Sequence, residues 1–217
     1  MRSVYFKAAV LTTIIFLLGL SIGFWLDWNR SQEVRAQLEE LKIQADEARV
    51  ALVFYQAFRD DPAFCPLFEL GIQEQIKRVG TLGNKLENLR ETNKLDDSYH
   101  NFRKQYVLFN TELYLNALQF KKNCNASTVT IAYFYPDSPC ADCERQASEL
   151  LALKNACPQK IWLFALPVDV NASVVNMLAR KYGATIMPSL AVNEKTFTGF
   201  QTASVLKTSF PELSDCN

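Results

Sequence analysis

The chain has 217 residues, and its 23 basic and 23 acidic side chains balance to a formal net charge of zero. That length holds one or two domains, and charges scattered in balance exclude the basic face that a nucleic-acid footprint needs. A single histidine, His100, set against six cysteines excludes a histidine-rich metal or acid–base centre and leaves the cysteines as the candidate chemistry.

In chain order, an apolar run over residues 8–26 follows a short basic start containing Arg2 and Lys7. Roughly 20 apolar residues suffice to cross a bilayer, and Trp25 and Trp28 fall where an interfacial aromatic pair belongs. The expectation is a transmembrane anchor over residues 1–28. The alternative is a cleaved signal peptide with Ser21 and Gly23 before the cut. The anchor is favoured because the run continues through Phe24-Trp25-Leu26 straight into an amphipathic helix. Arg2 and Lys7 on one side nearly balance Arg30, Arg35 and Lys42 on the other, so charge does not set the orientation. The even cysteine count and, more weakly, the sequons Asn125-Ala126-Ser127 and Asn171-Ala172-Ser173 point to an oxidising side. The expected localisation is a single-pass membrane protein with an extracytoplasmic soluble part.

Residues 29–125 read as a helical, coiled-coil-like domain. Val34, Leu38, Leu41, Ala45, Ala48, Leu52 and Tyr55 recur at steps of four and three, a heptad-like seam. Arg59-Asp60-Asp61-Pro62 ends that helix. A second helix spans about 67–91, carried by Ile72, Ile76, Val79, Leu82, Leu86 and Leu89 and weakened by Gly80 and Gly83. After a turn at 93–97, a third runs to about residue 122 with Phe102, Tyr106, Phe109, Leu113, Ala117 and Phe120 on one face. Three helices with short turns pack antiparallel, so the stripes read as mutual core, with homodimerisation through the first helix as the alternative. Cys65 opens the second helix and Cys124 closes the third, which places both at one end and predicts a disulfide between them. Two buried free thiols are the alternative. His100, early in the third helix, reads as a solvated side chain.

From residue 126 onward, apolar strand-like runs alternate with helical ones in the order βαβαββα. The first strand, 128–135, is followed by Ser138-Pro139-Cys140-Ala141-Asp142-Cys143 and a helix over 144–155. Two residues between cysteines on a first helical turn let the sulfurs bond and part with little backbone movement. The helix N-terminus stabilises a thiolate. Cys140 is the expected nucleophile and Cys143 the resolving thiol, with Ser138 as N-cap and Pro139 as first helical residue. A fixed structural disulfide or half a metal site is the bland alternative.

That order, with Cys140-Ala141-Asp142-Cys143 after its first strand and Met187-Pro188 opening its third, resembles the thioredoxin-fold superfamily. The resemblance covers the C-terminal two-fifths of the chain. It implies a cis Met187–Pro188 bond facing the cysteine pair, with Met187 and Pro188 in backbone contact with substrate. It also implies that the residue before Cys140, here Pro139 where a tryptophan is usual, borders that contact. The position six before Cys140, where the family carries a buried acid, is Phe134. Asp137, Asp142 and Glu144 outnumber Arg145 around the pair, which disfavours a thiolate relative to a basic surround and so leans towards reductase or isomerase over strong oxidase. In this fold Cys157 and Cys216 both lie at the end of the sheet away from the pair, and a disulfide between them ties down the tail.

The expected fold class is therefore α+β and multidomain: a transmembrane helix, an antiparallel three-helix segment, and a thioredoxin-like domain over 126–217. The expected function is that of a membrane-tethered thiol–disulfide oxidoreductase acting on exported protein disulfides, with protein thiols and a separate redox partner as its partners. It needs no cofactor, metal or nucleic acid. A redox-inactive thioredoxin-fold scaffold is the alternative. A copper-handling protein comes third, because it needs a histidine or a further soft ligand near the pair and His100, the single histidine, lies in the helical segment.

Overall fold

The computed structural model describes residues 2–58, 61–93, 97–136, 138–214 and 216. Three long helices come first: α1 (Arg2–Ala57), α2 (Phe64–Asn93) and α3 (Asp97–Cys124). Helix α1 runs 56 residues without a break, about 84 Å at 1.5 Å per residue. The expected transmembrane anchor over 8–26 is not a separate element but the start of this helix. Among the described residues no helix is long and apolar enough to cross a membrane. Thr12, Thr13, Gly19, Ser21 and Gly23 dilute the apolar run, and the helix passes directly into the charged sequence beyond Trp28. The transmembrane part of the expected fold class, the membrane tether and the single-pass localisation with an extracytoplasmic soluble part are corrected accordingly.

The helical stripes pack against one another. Leu41 and Tyr55 of α1, Phe68, Ile72, Val79 and Leu82 of α2, and Phe102, Phe109, Leu113 and Phe120 of α3 share one buried cluster. Tyr55 stacks on Phe68 at 4.0 Å between ring centroids, and Phe68 meets Phe120 edge-on at 5.3 Å. The expected stop at Arg59-Asp60 and the turn at 94–96 lie outside the described residues, as do the side chains of Val34, Ala48 and Leu52. Cys65 and Cys124 are bonded, joining the start of α2 to the end of α3.

The second half is β1 (Val129–Tyr135), α4 (Ala141–Ala156), β2 (Ile161–Pro167), α5 (Ser173–Lys181), β3 (Ser189–Val192), β4 (Lys195–Thr198) and α6 (Ala203–Ser209), followed by a 3-10 turn at Pro211–Leu213. The sheet order is β2-β1-β3-β4. Strands β1 and β2 are parallel, as the α4 crossover requires. Strand β3 is antiparallel to both β1 and β4. The β3–β4 turn is Asn193-Glu194, both left-handed at φ 48° and 68°, the backbone that a two-residue hairpin turn matched to strand twist demands.

Alternation along the strands gives the sheet two apolar faces. Val129, Ile131, Tyr133, Ile161, Leu190 and Val192 face α4 and α6. Ala132, Phe134, Trp162, Phe164 and Leu166 join the cluster built by the three long helices and α5. Phe120 lies 5.6 Å from Trp162 and Tyr114 lies 5.5 Å from Phe164, ring to ring. Helical segment and sheet therefore share one core, in a chain that is mostly helical around a small four-stranded sheet. That replaces the α+β multidomain expectation. Amphipathic helices need an apolar surface to cover, and the second face of this sheet supplies one.

Candidate active site

The cysteine pair sits where β1 ends and α4 begins. Cys140, not Ser138, is the N-cap: its backbone is extended (φ −147°, ψ 96°), and its sulfur accepts from the Cys143 N–H at 3.2 Å. Its carbonyl also accepts from the N–H groups of Cys143 and Glu144. The sulfur thus takes the capping role that Ser138 was expected to play, and Ser138 and Pro139 stay outside the helix, both exposed. Cys140 and Cys143 are joined in a disulfide. Cys143 is buried at 4% exposure, whereas Cys140 is half-buried, so Cys140 is the more accessible of the two.

Beneath the pair lies a residue that sequence reading passed over. The Tyr133 hydroxyl donates to the Cys143 carbonyl at 2.7 Å, and its ring stacks on Tyr135 at 4.8 Å. Burial, with smaller contributions from Tyr135 and Glu144, holds its hydroxyl well above the ordinary phenol value, so it stays a donor. Phe134, at the position where the resembled family has an acid, faces the opposite side of the sheet. Strand alternation from Cys143 back along β1 is the signal that would have found Tyr133.

Around the pair, Asp142 and Glu144 occupy the first turn of α4. Asp142 pairs with Arg145 at 3.0 Å, and the Arg145 guanidinium also lies 4.3 Å over the Phe200 ring. Asp137 lies outside the described residues. Buried Gln146 donates to the Gln201 carbonyl at 3.0 Å and accepts from the Gln201 N–H at 2.7 Å. Glu149 accepts from the Ala203 N–H at 2.8 Å. These bonds fix α4, and with it the cysteine pair, against the segment leading into α6.

The Met187–Pro188 peptide is cis. Phe134 pairs with Ser189 in the β1–β3 ladder, so Pro188, one step further, is level with Tyr135 at the end of β1 from which residues 136–140 depart. Met187 is half-buried and packs against both apolar clusters, and Pro188 is buried. On the other side of the pair, a cavity of about 460 Å³ opens between α4 and the β1–β2 part of the sheet, with Cys140 and Cys143 in its wall.

The remaining sulfurs are bonded elsewhere. Cys157, at the end of α4, is joined to Cys216 in the tail. Among the described residues no cysteine is free. Likewise, no group of three or more His, Cys, Asp or Glu side chains among them is placed to hold a metal ion. His100 is exposed on α3, its ring 5.7 Å from that of Tyr99.

No family model matches the chain, and no curated protein matches it. Among solved structures it is similar to thioredoxin-2, described as a component of the malaria parasite protein secretion machinery. The identity is 23% over 39% of this chain and 82% of that one, with a TM-score of 0.33. A second likeness is to a malarial protein, at 24% identity over 37% of this chain and 91% of that one, with a TM-score of 0.31. At these TM-scores neither likeness carries an argument about fold or chemistry.

Proposed function

We propose that the chain performs thiol–disulfide exchange with disulfide-bearing polypeptides through Cys140 and Cys143. The observation that carries this reading is the position of the Cys140–Cys143 disulfide. Its outer sulfur caps a helix and is partly exposed, while the other four cysteines are locked in two distant pairs. Starting from the reduced pair, the Cys140 thiolate attacks one sulfur of the partner's disulfide. A mixed disulfide forms, and the partner's other sulfur leaves as a thiolate and takes a proton from water. The Cys143 thiolate then attacks the Cys140 sulfur, releasing the partner's second thiol and restoring the bond seen here. Two electrons pass to the partner, and a dithiol reductant must return them.

In the reduced state the Cys143 N–H and the end of α4 stabilise the attacking Cys140 thiolate. Asp142 and Glu144 in the same turn oppose that stabilisation, and the Asp142–Arg145 pair offsets only one of these charges. A thiolate stabilised to this limited degree makes the disulfide a weak oxidant, so the favoured direction is reduction or isomerisation. With a dithiol reductant, the full chain should reduce a disulfide-bonded peptide catalytically. Cys140→Ser should abolish turnover and Cys143→Ser should accumulate the mixed disulfide. The reduction potential should fall below about −200 mV. Turnover unaffected by Cys140→Ser would reject the assignment to Cys140, and absence of turnover in wild type would leave the disulfide a structural feature of a binding scaffold.

A further inference from the structure

The cavity beside the cysteine pair is not needed for electron transfer, yet it adjoins the reactive sulfur. Tyr135, Ala147, Leu150, Leu151 and Leu163 line it together with Cys140, and Glu144 is the one carboxylate in its lining among the described residues. Leu151 is 55% exposed on α4 although it borders this space, so apolar surface is left uncovered where the cavity opens. Leu163 belongs to β2, one of the two edge strands of the sheet. Asn110 Nδ2 occupies the outer side of that strand at the Ala165 carbonyl, 2.9 Å away, and no further strand lies beside it among the described residues.

We infer that this cavity binds an aromatic or large aliphatic side chain of the substrate polypeptide, contributed by a residue next to or near the cysteine under attack. The inference rests on the exchange reading above and names its substrate class: disulfides flanked by large apolar residues. The occupant follows from the covalent geometry. In the mixed disulfide the partner's sulfur is bonded to Cys140, a wall residue of the cavity. An extended chain advances about 3.3 Å per residue, so side chains one or two positions from that cysteine are carried over the opening. The tether raises their local concentration, and weak side-chain burial therefore becomes selective. The stacked Tyr133–Tyr135 rings offer an aromatic occupant a face or an edge. Glu144 disfavours an acidic one.

The test uses the full chain, a dithiol reductant, and two disulfide-bonded peptides that differ only in carrying Phe or Ser beside the cysteine. The Phe peptide should be reduced with a kcat/KM roughly tenfold higher, the scale expected when an apolar side chain is buried in a pocket. Ala147→Trp, which fills the cavity, and Leu151→Asp, which charges its rim, should each bring that ratio close to one. Both positions are exposed on α4, and retention of the wild-type circular dichroism spectrum would show that the fold is kept. Equal rates for both peptides with wild type, or a ratio untouched by either variant, would overturn the pocket assignment while leaving the exchange reading in place. Failure of wild type to reduce either peptide would overturn the exchange reading and this inference with it.

Discussion

Tyr133 holds the backbone of Cys143, the resolving cysteine of the proposed exchange. Its buried hydroxyl holds the Cys143 carbonyl at 2.7 Å, and losing the donor leaves that acceptor unsatisfied inside the fold. Tyr133→Phe should cost about 1–3 kcal/mol, read as a lower denaturant midpoint. It should also slow the second step of exchange, read as a longer-lived mixed disulfide in single-turnover experiments. An unchanged lifetime would make Tyr133 a purely structural residue. The buried tyrosines also set a pH limit. Burial raises the phenol values of Tyr106, Tyr114 and Tyr133. The stability linked to their protonated forms is therefore complete below the unfolded value of about 10 and is lost as pH rises beyond it. Tyr114 adds a hydrogen bond to the Tyr182 hydroxyl at 2.8 Å. Tyr114→Phe should thus lose less stability than wild type between pH 9 and 11, measured by urea midpoints across that range.

Helix α2 shows how far sequence patterns carried and where they stopped. Its apolar stripe was legible because the spacing of Ile72, Val79, Leu82 and Leu86 admits only one buried face, and those residues are buried. Its glycines were legible only as weak points, because helix propensity says nothing of what lies opposite. A methyl group added at Gly83 would run into the Tyr106 hydroxyl, and one at Gly71 into the Tyr55 hydroxyl, which donates to the Leu67 carbonyl at 3.1 Å. At Gly80 nothing lies within 4 Å. Gly80→Ala should stabilise the protein by about 1 kcal/mol, and Gly83→Ala should destabilise it by about 1–3 kcal/mol through overpacking. Denaturant midpoints at constant m-value distinguish the two. The site divides in the same way. Cys-x-x-Cys after a strand marked the candidate pair by spacing alone, whereas Tyr133 and the Gln146–Gln201 clasp depend on facing and on contacts 55 residues apart in the chain. For the N-cap, the preference for serine gave way to a sulfur already held at the helix start. The apolar run over 8–26 read as an anchor on residue type, but among the described residues no helix is long and apolar enough to cross a membrane.

At the scale of the whole molecule, a disulfide between two of the helices and the apolar face that the helices share with the sheet both stabilise the fold, and their sizes can be compared. The Cys65–Cys124 bond closes a separation of 59 residues, a loop-entropy contribution of about 4 kcal/mol. The packed face of the sheet contributes more. Phe134, Trp162 and Phe164 are at most 2% exposed and lie in the cluster that the helices complete. Exposing large apolar side chains costs about 1.5–3 kcal/mol each, so these three alone approach the 5–15 kcal/mol that typically holds a domain together. Cys65→Ala/Cys124→Ala should accordingly unfold in one cooperative transition at a lower denaturant concentration, with exchange activity retained below that midpoint. A fragment of residues 126–217 contains every cysteine of the site and the Cys157–Cys216 staple, but it lacks the cover on Trp162 and Phe164. It should show no cooperative transition and should bind a dye specific for exposed apolar surface. A cooperatively folding, active fragment would mean that the helices are an appendage to the sheet and not half of its core.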